Sequence, residues 1–348
     1  MTQAPAPSAC GTLQSAMIRD GAAVFTLLPP AGAEAFCAEI QAADDTRWRI
    51  ALEAPEPGPD GTLICRLPLD ADGPVLREIA PLVRMEGAWH SPARDDKACF
   101  LHRLLCTDIQ EVNANLRWFK RIPDLETRFF AARNSLRVIG DDTELRTRCV
   151  VSVGYQGVET DNAAILDWCM EEYARSDNRL DAISDPEARM SLATFWVHLA
   201  IAREDNRMFA ELSQSVRTDV FTPQLPAITV YNALCLALLL GGWHLARGEM
   251  QEAAQLFRPT DEFFKLAAMK FPRALVNYRE LIGITQRTYY CQIGLAMAEG
   301  RRIPTERRFP ELLPPIAWRE GNRLYDKAAK QRLSHSYALL CQPETAGG

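Results

Sequence analysis

The most chemically dense stretch of this 348-residue sequence is WHSPARDDKACFLH, residues 89–102. His90, Asp95, Asp96, Cys99 and His102 fall there within thirteen residues. Imidazole, carboxylate and thiolate all ligate metals, and a Cys-x-x-His pair can bite one ion from a single helical turn. A structural site needs four converging ligands, however, and this spacing follows no established zinc pattern. The stretch therefore reads as a solvated linker with Cys99 and His102 entering a helix, and no metal or cofactor is expected. A competing reading makes it the wall of a pocket. An enzyme acting on a sugar or other polar metabolite would use His90, Asp95, Asp96 and His102 at a domain interface near residues 89–121.

Other candidate groups are more isolated. His198 lies in FWVHLAI and His244 in GGWHLA, each beside a tryptophan on an apolar helix. One expectation is two buried histidines whose ring nitrogens are satisfied locally. The sharper one is that Trp196, His198, Trp243 and His244 line a concave groove, because stacked hairpins repeat equivalent positions along such a surface. RRIPTERRFP (301–310) adds Arg301, Arg302, Arg307 and Arg308, which either face solvent or meet an acidic partner. Glu171 and Glu172 fall on the polar side of a helix. NANLRWFKRIPD (113–124) interleaves cations with aromatics as single-strand binders do, but the acidic total argues against nucleic acid. The P-loop, dinucleotide, nucleophile-elbow and zinc-protease motifs are all absent from the sequence.

These residues need elements to hold them. A hydrophobic fraction of 47% with 24% charged residues is that of a globular chain, and the length favours two domains. The net charge of -6 hides an asymmetry: residues 271–348 carry 12 Lys+Arg against 7 Asp+Glu. Ten cysteines without a C-x-x-C pair suit a reducing compartment, and the N-terminus shows no signal-peptide pattern, so the cytoplasm is the expected location. ITVYNALCLALLLGGWHLA (228–246) is uncharged and nearly long enough to span a bilayer, yet Asn232, His244 and the amphipathic helix that follows favour a buried core helix.

Residues 11–92 read as a β-rich domain, a small sandwich or barrel. Its runs AVFTLL (23–28), RWRIALEA (47–54), TLICRLPL (62–69) and LVRMEGAW (82–89) are separated by turn formers, and GAEAFCAEIQAA (32–43) reads as an inserted helix. The period then lengthens: Leu101, Leu104, Leu105, Ile109, Val112, Leu116 and Phe119 form the stripe of a linker helix over 93–123. From 124 to 341 nearly everything reads helical, so the fold class is α+β.

Within the helical part, Leu240, Gly241, His244, Gly248, Ala253 and Phe257 match the spacing L-G-x-x-Y-x-x-x-G-x-x-x-x-A-x-x-x-F, with His in place of the aromatic. This stretch resembles one tetratricopeptide hairpin. The resemblance implies two antiparallel helices brought close at Gly241 and Ala253, a break at Gly248 and a groove filled by Phe257. Looser hairpins with breaks near Gly157, Asp205 and Gly300 extend it into an α-solenoid-like domain, the alternative being an irregular bundle. The expected role is a non-catalytic scaffold or adaptor that holds another protein or an acidic peptide; membrane and nucleic acid are not expected partners.

Overall fold

Backbone pairing builds nine strands among the described residues, which in this computed structural model are 10–52, 55–70, 72–94, 99–102, 104–106, 124–175, 180–215, 227–270 and 278–301. β1 (Thr12–Arg19), β2 (Ala22–Leu28), β5 (Glu56–Pro57), β6 (Leu63–Pro68) and β9 (Ala93–Arg94) form one sheet in the order β5-β6-β2-β1-β9. β3 (Ala35–Ala42), β4 (Arg47–Ala51), β7 (Leu76–Met85) and β8 (Ala88–His90) form the other, in the order β4-β3-β7-β8. Neighbouring strands run antiparallel except β1 and β9. In the β2–β6 ladder Ala23 opposes Leu67 and Phe25 opposes Cys65, all four buried. The fold is α+β, with these sheets followed by helices.

Two sequence expectations change here. GAEAFCAEIQAA is strand, not helix: β3 pairs on one side with β4 and on the other with β7, and buries Cys37, Ala38, Ile40 and Ala42. Its Ala, Glu and Gln content favours helix locally, but pairing on both edges satisfies the backbone and overrides propensity. The start of the predicted linker helix is also not helical. Cys99 bridges Ala16, the Phe100 N–H bonds the Ala16 carbonyl, and the Ile79 N–H bonds the Leu101 carbonyl. Residues 99–102 thus reach from the edge of one sheet to the edge of the other, where the Leu104 N–H also bonds the Arg77 carbonyl. The apolar triplet Leu101, Leu104 and Leu105 is buried against sheets rather than along a helix face. The rest of that predicted stripe, Ile109, Val112, Leu116 and Phe119, lies outside the described residues.

The chain divides into two compact units, Met1–Gln156 and Gly157–Gly348. The first unit includes α1 (Leu125–Leu136), whose N-cap Asp124 accepts from the Thr127 N–H at 2.9 Å. α1 ties both sheets. The Ile18 N–H donates to Thr127 Oγ1 at 2.8 Å, and Asn134 accepts from the Leu76 N–H at 2.9 Å while donating to the Leu76 and Leu104 carbonyls. α2 (Thr143–Glu159) follows and crosses into the second unit.

The remaining helices are α3 (Ala163–Ala174), α4 (Pro186–Ala202), α5 (Asn206–Ser215), α6 (Ala227–Ala246), α7 (Met250–Lys270) and α8 (Tyr278–Ala298). α6 packs against α4, α7 and α8, and α7 packs against α8. No helix among the described residues is long and apolar enough to cross a membrane. The uncharged stretch 228–246 instead forms most of α6, buried throughout from Asn232 to Gly242.

Four helices end in the same turn. Left-handed residues sit at Asp161, Glu204, Gly248 and Gly300, with φ of 50°, 52°, 74° and 62°. In each case the following N–H reaches the carbonyl five residues back, as Asn162 to Gly157, Asp205 to Ala200, Glu249 to His244 and Arg301 to Ala296. This is a Schellman closure, which satisfies carbonyls the helix end leaves open. The first break therefore lies at 161 rather than at Gly157. Gly157 is helical and small for another reason, since a Cβ there would come within 2.4 Å of Ile165 Cγ2. With that correction the turns recur at intervals of 43, 44 and 52 residues.

Candidate functional site

The loop segment that joins the two sheets leaves an opening. β7 is paired along one edge with β3 in continuous register from Glu78 to Arg84, beyond a register shift at Leu76, but its other edge meets Leu101 at Ile79 and β8 only from Val83 onward. Pro81 falls between these points and has no N–H to offer a ladder. Beside it is a cavity of about 230 Å³. Leu13, Ile79, Pro81 and Leu101 give it apolar walls, while Glu78, Arg94, Cys99 and His102 supply polar ones. Cys99 Sγ lies 3.6 Å from the Leu13 carbonyl.

Of the four residues expected at an interdomain pocket, His102 alone lines this cavity among the described residues. His102 lines it and so does Cys99, whereas His90 sits half-buried on β8 opposite Val83 and is not among the lining residues. Asp95 and Asp96 lie outside the described residues. Among the described residues no group of three or more His, Cys, Asp or Glu side chains is placed to hold a metal. Glu78, Arg94 and Pro81 went unnoticed in the sequence, because only strand register brings 78–81 beside 91–94 and 99–102. A proline inside an apolar strand-like run was the one available signal.

The second candidate region is the turn between α6 and α7. Trp243 stacks on Phe209 with ring centroids 4.6 Å apart, and the Arg247 guanidinium lies 5.2 Å from the Trp243 ring centroid. His244 Nδ1 is 2.6 Å from Glu249 Oε2, and this hydrogen bond is the main cause holding the Glu249 carboxyl below the usual carboxylate range. Arg247 also donates to Asn206 Oδ1 at 2.7 Å. Trp243 and His244 are thus half-buried surface residues on one turn.

Trp196 and His198 are elsewhere: both are buried in α4, Trp196 completely. Trp196 packs against Tyr173 and Phe195, and among the described residues its indole N–H meets no acceptor. The four residues considered for a single groove therefore separate into a core pair and a surface pair. Arg301 is exposed and pairs with Glu299 at 2.6 Å, while Arg302, Arg307 and Arg308 lie outside the described residues.

The nine cysteines within the described residues are all free and buried. Burial pushes the Cys65 thiol up to about 11 and those of Cys169 and Cys291 up to about 12. Such thiols pack as small hydrophobes and are not poised as nucleophiles. Comparison of the chain with family models, with curated proteins and with solved structures gives no match.

Proposed function

We propose that the second unit is a helical-repeat scaffold that holds an acidic segment of another protein along its row of hairpin turns. The observation that carries this reading is that equivalent turn residues make equivalent contacts. Arg203 and Arg247 each immediately precede the left-handed residue of their turn. Each reaches back to the preceding hairpin, Arg203 to Asp167 at 2.8 Å and Arg247 to Asn206 at 2.7 Å. Glu299 holds the same position in the last turn and receives Arg258 at 3.0 Å. Hairpins docked through a repeated contact form extended surfaces whose usual work is recognition of other chains, which is an argument from architecture. Arg203, Arg207, Arg247 and Arg301 are exposed near these turns, each paired with a carboxylate of its own chain for which an acidic segment would compete.

Affinity capture of the full-length chain at native expression level is the test, read beside an Arg203→Glu/Arg247→Glu double variant. The expected result is a stoichiometric partner retained by the parent chain, lost from the variant and released by salt. Absence of a stoichiometric partner, or one that both chains retain equally, overturns the proposal.

A further inference from the structure

We infer that Glu249 and Glu299 are internal competitors for the acidic segment, each occupying the donors of its hairpin turn until a carboxylate of the partner displaces it. The inference rests on the scaffold reading and adds how that surface is regulated. In both turns one carboxylate is shared between two nitrogen donors. Glu249 Oε2 lies 2.6 Å from His244 Nδ1, and its Oε1 lies 3.4 Å from Arg247 Nε. Glu299 Oε1 accepts from Arg258 Nε at 3.0 Å, and its Oε2 accepts from Arg301 Nε at 2.6 Å. Both carboxyls titrate below the usual carboxylate range, Glu249 chiefly through the His244 hydrogen bond and Glu299 chiefly through that from Arg258. Each group is thus held by donors of the kind that a foreign carboxylate needs.

Displacement costs little because these contacts face water. The Arg247 side chain is 45% exposed, and those of Arg258 and Arg301 are 58% exposed. An ion pair so exposed favours its closed state by a factor of only about 1.4–5, so the open state stays populated. A ligand that needs the open state loses about two- to sixfold in affinity. When Glu249 leaves, Arg247 keeps two neutral supports. Its Nη1 donates to Asn206 Oδ1 at 2.7 Å, and its guanidinium lies over the Trp243 ring, which stacks on Phe209. The exchange therefore frees a donor whose side chain is already oriented. Met250 and Arg258 are about 12 Å apart along α7, within reach of an extended ten-residue segment of about 33 Å. A partner with several carboxylates exchanges against both turns together, whereas a single small acid gains only one weak contact.

Fluorescence anisotropy of labelled decaglutamate against the full chain tests the inference. In about 0.1 M salt, charges more than about 10 Å apart are screened, so the chain's net charge of -6 does not dominate the reading. Glu249→Gln and Glu299→Gln should each bind the probe about two- to sixfold more tightly than the parent chain. Glu39→Gln is the comparison: it removes the same charge away from the turns and releases Arg49, which Glu39 holds at 2.8 Å on the second sheet. That variant should bind as the parent does. Glu249→Gln should also lower the urea midpoint while tightening the probe, and a purely structural role would give only the first effect. The inference fails if the parent binds and either turn variant binds no tighter, or if Glu39→Gln gains as much. Absence of saturable binding by all of these chains overturns the acidic-segment reading itself, and the inference with it.

Discussion

Phe257 occupies space that two glycines leave open. A Cβ at Gly241 would lie 2.2 Å from the Phe257 Cζ, and one at Gly294 would lie 2.6 Å from its Cε2. One ring therefore joins α6, α7 and α8. Phe257→Ala should cost about 3–5 kcal/mol by urea denaturation, because the rigid helices around it cannot collapse onto the cavity. Gly241→Ala should cost at least about 1–3 kcal/mol from the opposite side, by overpacking the same contact. A Phe257→Ala cost below about 1 kcal/mol would show that the ring is not the wedge described. At the neighbouring turn, the Glu249 carboxyl titrates below its ordinary 4.5, chiefly through the His244 hydrogen bond. A depressed carboxylate stabilises above its unfolded pKa and loses that contribution as pH falls through the folded one. Glu249→Gln should therefore lower the urea midpoint slightly at pH 7, with the difference closing well below pH 4.5. A difference that persists in strong acid would assign the loss to packing instead. Iodoacetamide at pH 8 should leave all nine described cysteines unmodified until denaturant is added, as read by mass spectrometry.

At the scale of elements, α1 and the Schellman turns make opposite demands on their sequences. α1 depends on side chains at particular positions. Asn134 satisfies three backbone groups of Leu76 and Leu104, so Asn134→Ala should cost about 3 kcal/mol or more and expose the Leu76 amide to hydrogen exchange. Retained protection there would rule out α1 as the tie. The turns depend on backbone conformation. Gly248→Ala should destabilise by about 1 kcal/mol, and Glu204→Gly should stabilise by about as much, because only glycine adopts a positive φ without steric cost. Equal effects of either sign at the two sites would contradict a shared turn geometry. This contrast also explains what could be read from the sequence. The alternation of TLICRLPL and the buried run of α6 depend on local pattern and were legible. β3 and residues 99–102 were not, because their neighbours come from distant strands and their composition suits helix equally. Asp161 escaped notice as a turn since Gly157 nearby is the commoner breaker, although Asp also tolerates the left-handed region. The cavity was half visible: His102 and Cys99 announced themselves by type, whereas Glu78 and Arg94 acquire meaning only from register.

Across the whole molecule, the two units own separate cores. The first is organised around Phe25, Leu27, Ile79 and Leu104, and the second around Trp196, Leu236 and Phe257. Phe257→Ala should therefore speed amide exchange in α6–α8 while leaving the β1–β2 ladder protected. Simultaneous loss of both would mean that the units unfold as one. The hydrogen bond from Ile18 to Thr127 carries a further consequence for how the chain is made. Its ends are 109 positions apart, and a chain emerging at roughly 5–20 residues per second needs on the order of ten seconds to supply the second. Until then β1 lacks its helix partner, and the Ile18 N–H stays open to other nascent chains. In the second unit the pairs α4–α5, α6–α7 and α7–α8 close on contacts between sequence neighbours and wait less. Crowded synthesis should thus endanger the amino-terminal strands first, and an arrested chain ending before Thr127 is the species in which that exposure can be measured.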